Sequence, residues 1–540
     1  MSGGATGRSE NLGEVRKALA DGRTSLGIEF GSTRIKACLI DNDAHHVLAV
    51  GAHEWENQFE DRTWTYSLDA VWGGLQAAYT ELIADVQMRY GVTPDTFGAI
   101  GVSAMMHGYL AFDAADELLV PFRTWRNTTT EPAASELTAL FDTNIPLRWS
   151  VAHLYQAVLD EESHVREVAF VTTLAGYVHW RLTGKKVLGI GDASGMFPVD
   201  SVTHDYDAEL LTRFDEHVAG SELASGLAEL LPAVLVAGQS AGSLTEEGAA
   251  LIDASGVLKA GIVLCPPEGD AGTGMVATNS VAPRTGNVSA GTSIFAMVVL
   301  DKPLEGVHDE LDLVTTPSGD LVAMVHCNNG ASELAAWASM FGQFSSATGN
   351  ALDSDQVFEA LFRAALDGAA DAGGLLAYNH LAGEPIAGLS EGRPLFVRTP
   401  DSTLNLPNFM RAQLYGVFGT LALGMRVLAR EGTALERMYA HGGVFRTVGV
   451  AQRFLAGALG APVAVAETAS EGGAWGIAVL ASHMRVASGT SLATYLSEAV
   501  FADIKFLSVA PDPSDAAGFA IYLDRYAAGL AVERVAVNEL

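Results

Sequence analysis

The 540 residues exceed what one hydrophobic core usually organises, and with 49% hydrophobic and 18% charged residues two or more well-filled domains are expected. With 32 basic against 64 acidic residues the formal net charge is −32, and no sustained Lys/Arg stripe occurs, which argues against nucleic acid as a partner. Cys38, Cys265 and Cys327 lie far apart without CxxC spacing, so a reducing cytoplasm is expected, and no run approaches the roughly 18 apolar residues of a membrane span.

Residues 1–23 mix charges without an apolar stretch and read as a tail plus a short helix, not a secretory signal. Residues 26–41, LGIEFGSTRIKACLID, predict a strand, a Gly31-Ser32-Thr33 turn and a second strand ending at Asp41. Asp69 to Met88 carries helical spacing, and Phe97 to Val102 suits a buried strand that leads into Met106-His107-Gly108. A lone histidine at a strand end is more often structural than a ligand. Arg123, Trp125, Arg126 and Asn127 offer donors and an aromatic face to a polyol, or form a plain surface loop.

Gly189 to Gly195 superficially suggests a dinucleotide loop, but its glycine spacing is wrong, and it reads instead as a turn near a sugar. Ile262 to Cys265 predicts an apolar strand ahead of Pro266-Pro267-Glu268-Gly269-Asp270, where Asp270 opens a small-residue helix. Aspartate there caps a helix as readily as it serves catalysis.

Residues 286–301, GNVSAGTSIFAMVVLD, repeat the first pattern: Gly291-Thr292-Ser293 stand where Gly31-Ser32-Thr33 stood, and Asp301 follows Gly291 by ten residues, as Asp41 follows Gly31. One such turn is an ordinary hairpin; two at matching places mark two halves. Asn328-Asn329-Gly330 precedes a helix, and Met410, Leu414, Val417, Phe418, Leu421, Met425 and Leu428 share one face of a long packed helix. His441-Gly442-Gly443 is a turn that lets a ligand approach the backbone before the helical stretch Val448 to Leu459. A strand over Ala461 to Ala466 and a helix from Glu471 to Ser482 follow, and Pro511 to Ser514 signals a loop.

No GxxxxGK[ST] occurs, Gly101-Val102-Ser103-Ala104-Met105 stops short of a nucleophile elbow, and no HExxH or Cys/His cluster marks an all-protein metal site. The ordered set LGIEFGSTRIKACLID, GVSAMMHG, WRN, YVHWRLTGKKVLGIGDASG, PEGDAGTG, SAGTS, NNGASELAAW, AHGG and EGGAWGIAVLA resembles the FGGY family of carbohydrate kinases, from about Leu26 to Ser482.

The resemblance implies an α/β fold of two actin-like (ribonuclease H-like) domains with an interdomain catalytic cleft. It divides the chain into a tail (1–23), a sugar-binding domain (24–283), a nucleotide domain (284–485) and a C-terminal extension (486–540). Carried over by position, Gly31, Ser32, Thr33 and Lys36 match the first phosphate hairpin and Gly291, Thr292 and Ser293 the second. Gly330, Gly442 and Gly443 match segments that hold nucleotide, with Thr447 where an adenosine-side Asn is frequent. Met106 and His107 match a substrate-side pair of ketopentose kinases, Arg126 and Asn127 stand in the sugar loop, and Asp270 matches the catalytic base, which also touches substrate.

Glu29 replaces the usual Asp ahead of the first glycine and would reach Mg2+ through water. The expected reaction is ATP-dependent, Mg2+-assisted phosphorylation of a primary hydroxyl on a small sugar, with water expelled by domain closure. L-ribulose is the first choice, D-xylulose the second, and another ketose or polyol the next. A sugar-binding regulator without catalysis is the alternative, and a homodimer is the assembly to test.

Overall fold

The computed structural model describes residues 12–466 and 472–540; the first part of the expected tail and Glu471, the expected start of the last helix of the second half, lie outside them. The chain forms two compact units. One comprises Met1–Asn279, Val314–Asp320 and Ser470–Asp503, and the other Ser280–Leu313, Leu321–Ala469 and Ile504–Leu540.

In the first unit a five-stranded sheet runs in the order Glu268–Gly269, Ala99–Ala104, Thr24–Phe30, Arg34–Asp41, Val47–Glu54. The first three strands are mutually parallel and the last two pair antiparallel. Thr24–Phe30 is buried along nearly its whole length because helices cover both faces. A Cβ on Gly27 would stand 2.0 Å from the Ala474 carbonyl of helix Gly473–His483, and one on Gly51 2.1 Å from the Ala78 carbonyl of helix Leu68–Tyr90. In the antiparallel register Gly27 lies opposite Cys38 while Gly51 lies opposite Ala37, so the two glycines point to opposite faces. Helix Leu68–Tyr90 starts where Ser67 accepts the Ala70 N–H and stops at Gly91, whose φ of 66° ends the helical path.

The expected strand over Ile262–Cys265 is absent. Val263 and Leu264 make only isolated bridges, to Ser243 and Ile100, and regular pairing is confined to Glu268–Gly269. Pro266 and Pro267 lack the N–H groups that a ladder needs, so the strand cannot run through them.

The second unit repeats the order: Leu321–Cys327, Ile294–Val299, Thr285–Ala290, Arg437–His441, Val463–Ala466, with Phe506–Val509 added antiparallel at the edge. Its core helix, Leu406–Arg430, is long and apolar enough to cross a membrane, but 83% of that stretch is buried inside the unit. Asn405 caps it, and Pro407 sits in its first turn, where a missing N–H costs nothing. The apolar stripe from Met410 to Leu428 is core, as its spacing requires.

The last residues, to which the sequence assigns no role, are built into both units. Tyr495 accepts or donates a hydrogen bond at His45 Nε2 (2.6 Å) in the first unit. In the second, helix Pro513–Glu539 lies on the core helix, with the wholly buried Glu533 beside His380 at 2.8 Å and Asp515 beside buried Arg411 at 3.3 Å. The helix Gly473–His483, expected in the second half, packs in the first unit.

Candidate active site

Each unit gathers its chemistry where parallel strands end, the edge at which α/β sheets bind ligands. In the first unit Gly31, Met106 and Asp270 all follow the carboxyl ends of adjacent parallel strands. The Gly31 N–H closes its turn on the Arg34 carbonyl at 3.0 Å. The turn's carbonyls are all tied back: Trp55 Nε1 donates to Gly31 O (2.7 Å), the Tyr66 hydroxyl to Ser32 O (2.6 Å) and the Trp55 N–H to Thr33 O (3.2 Å). Trp55 stacks on Tyr66 with ring centroids 4.2 Å apart, and Phe30 meets Trp55 at a tilt with centroids 6.2 Å apart. With its acceptors committed, the turn retains the N–H groups and hydroxyls of Ser32 and Thr33, donors suited to phosphoryl oxygens.

Asp270 opens helix Asp270–Ala277 and accepts the Met106 N–H on Oδ1 at 3.0 Å. Burial raises its pKa, while N–H groups of Met106, Ala271 and Asp270 itself oppose the rise. It therefore holds a proton more readily than an ordinary aspartate and is anchored at the same time. Met106 and His107 are buried beside it; His107 has a φ of 71°, and its Nδ1 lies 3.3 Å from the Gly195 carbonyl. A non-glycine residue held in that conformation marks a place where the surroundings dictate the side chain's direction.

Glu29 sits under the start of helix Gly473–His483. Its Oε2 accepts the Ala474 N–H at 3.2 Å, and Lys36 Nζ approaches the same oxygen at 3.8 Å. Burial raises the Glu29 pKa; Lys36 opposes that, Asp270 adds to it, and the Ala474 and Gly473 N–H groups oppose it again. The longer side chain is thus held by a helix N-terminus.

The loop from Arg123 to Asn127 divides. Arg126 stacks its guanidinium over Trp64, 4.0 Å from the ring centroid. Asn127 is engaged internally: its Oδ1 accepts the Trp64 N–H (2.9 Å) and its Nδ2 donates to the carbonyls of Trp64 (2.9 Å) and Thr124 (3.0 Å). Asn127 braces the hairpin Gln58–Thr65 through its backbone, and Arg126 is the residue that keeps donors to offer.

In the second unit three glycines meet at the end of strand Thr285–Ala290. The Gly291 N–H closes its turn on Ser293 O at 2.9 Å, and the N–H groups of Gly330 and Ala331 donate to Thr292 O (2.7 Å) and Gly291 O (2.8 Å). A Cβ on Gly330 would lie 2.4 Å from Gly291 O, and one on Gly442, whose φ is 109°, 2.2 Å from Ala290 O. The glycines are what allow three turns to touch. Asn329 Oδ1 accepts the N–H groups of Leu381 (2.8 Å) and Ala382 (2.9 Å), and its Nδ2 donates to Glu384 (3.0 Å). Asn379 holds the Gly330 carbonyl at 2.7 Å. Gly443 faces open space, and Thr447 is buried with its carbonyl accepting the Val450 N–H at 3.4 Å.

Sequence reasoning missed Trp55, Tyr66, Asn379 and Glu384, which hold the turns from outside the motifs. It also missed Asp192 and Glu268, although both stand inside segments it singled out.

Two family models match consecutive stretches of the chain, the N-terminal domain of the FGGY family of carbohydrate kinases over residues 24–264 and its C-terminal domain over 286–485. The chain belongs to the FGGY family. It is 24% identical over 301 residues to "Xylulose kinase" of Haemophilus influenzae, a match covering 52% of this chain and 57% of that protein. Among solved structures, a "xyloylose kinase" from Brucella ovis shares the fold with a TM-score of 0.75 at 20% identity, covering 95% of this chain and all (100%) of that one. Plasmodium falciparum glycerol kinase with ADP follows at 0.72 and 14%, covering 95% and 98%.

Among the described residues no group of three or more His, Cys, Asp or Glu side chains could hold a metal. Glu29, held by the Ala474 N–H beside Lys36, is the carboxylate that would reach Mg2+ on nucleotide phosphates through water.

Proposed function

We propose that the protein is an ATP-dependent kinase that phosphorylates a primary hydroxyl of a ketopentose. The observation that carries this reading is Asp270, fixed by the Met106 N–H at 3.0 Å next to Met106 and His107, at the end of the parallel strands that also present the Gly31 turn. Asp270 accepts the proton of the acceptor hydroxyl as it attacks phosphorus. Its raised proton affinity helps late in the step, when the alcohol has become acidic. Ser32 and Thr33 offer donors to the transferring phosphoryl group, and the turns at Gly291, Gly330 and Gly442 offer backbone to the nucleotide. Mg2+, when bound with ATP, supplies neutralisation of phosphate charge.

The likeness to a xylulose kinase supports D-xylulose, and the sequence style supports L-ribulose; the two are to be tested first. The test is ADP release with Mg-ATP over L-ribulose, D-xylulose, D-ribulose, other ketoses, glycerol and gluconate, beside Asp270→Asn. Turnover with one ketopentose, falling by about 10²–10⁴ in the variant, is expected. Sugar-independent hydrolysis that survives the variant overturns the kinase reading. Sugar binding without turnover turns it into that of a sugar-binding regulator.

A further inference from the structure

The loop between the base and the Met-His pair contains a carboxyl group that the reaction outlined above does not use. Asp192 lies on the short helix Ile190–Ala193 and is 1% exposed. Thr173 Oγ1 donates to its Oδ2 at 2.6 Å, whereas its Oδ1 is buried without a partner among the described residues. A Cβ on Gly269 would stand 3.2 Å from that orphaned oxygen, so Oδ1 rests against the residue just before Asp270.

The same loop is clamped on both sides. Glu268, also 1% exposed, accepts the N–H groups of Asp192 (3.0 Å) and Gly191 (3.4 Å), tying the loop to the residue two before the base. At its far end a Cβ on Gly195 would meet His107 Nδ1 at 2.6 Å and Met106 Cε at 2.7 Å, so the loop presses on the Met-His pair as well. The titratable groups facing Asp192 are Glu268 on the strand before the base, Asp270 on the helix after it, and Tyr206, whose buried hydroxyl also lacks a partner among the described residues.

We propose that Asp192 is a positioning residue for phosphoryl transfer, its buried carboxyl bearing on the Gly269–Asp270 segment and setting how strongly Asp270 holds the acceptor's proton. This rests on the reading of Asp270 as the base. Burial raises the Asp192 pKa to about 7, with the Thr173 hydrogen bond opposing and Asp270 adding to the rise. Burial, with Asp192 adding to it, raises the Glu268 pKa, and the N–H groups of Gly191, Asp192 and Gly269 oppose the rise. Ionisation of Asp192 near neutrality places a negative charge against the Gly269–Asp270 segment, and that charge makes Asp270 a stronger base.

The experiment is the pH profile of kcat and of the acceptor KM from pH 5 to 9 for the parent, Asp192→Asn and Thr173→Val, with Asp270→Asn alongside. Asparagine keeps the size of the side chain and an acceptor for Thr173. The parent is expected to show a second rise in kcat near pH 7. Asp192→Asn loses it and falls several-fold at pH 8 with acceptor KM unchanged, and Thr173→Val moves it to higher pH. If Asp270→Asn abolishes turnover but Asp192→Asn keeps both limbs, or loses kcat and KM alike at every pH, the base stands and the positioning role falls. If Asp270→Asn retains turnover, the base reading and this proposal fall together.

Discussion

The two glycine turns share a sequence pattern and a place in their sheets, yet they are held by different means. The Gly31 turn is gripped mainly by side chains, the Trp55 indole and the Tyr66 hydroxyl donating to two of its carbonyls from an aromatic stack while the Trp55 N–H takes the third. The Gly291 turn is gripped by backbone, through the N–H groups of Gly330 and Ala331. An aromatic clamp can lose one hydrogen bond and keep its packing. A backbone clamp depends on contact that a single methyl group prevents. The same strand–turn–strand element is therefore expected to tolerate change in the first unit and to resist it in the second.

The sharpest way to break that comparison is Gly330→Ala. The added Cβ would meet Gly291 O at 2.4 Å and Ser293 O at 2.8 Å, both backbone atoms that cannot swing away. Overpacking costs about 1–3 kcal/mol, so the nucleotide KM is expected to rise roughly 10- to 100-fold in steady-state kinetics. An unchanged KM would mean that the second turn does not hold the nucleotide. Trp55→Phe keeps a ring in the stack and removes the bond to Gly31, at a cost of about 0.5–1.5 kcal/mol, and should lower kcat/KM several-fold. Tyr66→Phe removes only the Ser32 contact and should have the same effect or less. A loss from either larger than that of Gly330→Ala would reverse the comparison.

The smallest expected effect is on stability and concerns the buried carboxyl that rests against Gly269. Unfolded, Asp192 gives up its proton near 3.8; folded, it holds it to about 7. Between those values the native state binds more protons, so this group's contribution to stability falls as pH rises. Asp192→Asn removes that loss. Its thermal midpoint relative to the parent should be higher at pH 8 than at pH 5, measured by scanning calorimetry. A difference independent of pH would show that Asp192 is ionised in both states.

What could be read from the sequence was whatever one short stretch specifies. The hairpins were legible because glycine and hydroxyl residues between apolar runs leave few alternatives. The helix Leu406–Arg430 was legible because its stripe repeats at helical spacing. Met106 and His107 were singled out by the family resemblance, since a lone histidine after a strand reads on its own as structural. Asn127 shows the limit: it looked like a sugar donor, but its amide matches the backbone of Trp64, and no local pattern shows that. The strand expected over Ile262–Cys265 failed because two prolines, also plain in the sequence, outweighed its apolar character.

By itself the sequence carried the ordered motifs, and through their resemblance the family and the two-part α/β architecture, while local spacing gave the paired hairpins and the long core helix. Only the tertiary structure decided which groups stand behind the motifs. Trp55 and Tyr66 reach the first turn from 24 and 34 residues away, and Glu384 reaches Asn329 from 55. Asp192 meets the Gly269–Asp270 segment because Glu268 binds its loop across 76 residues. Such partners are selected by burial and by the need to satisfy polar groups, conditions that exist only once the sheets have formed.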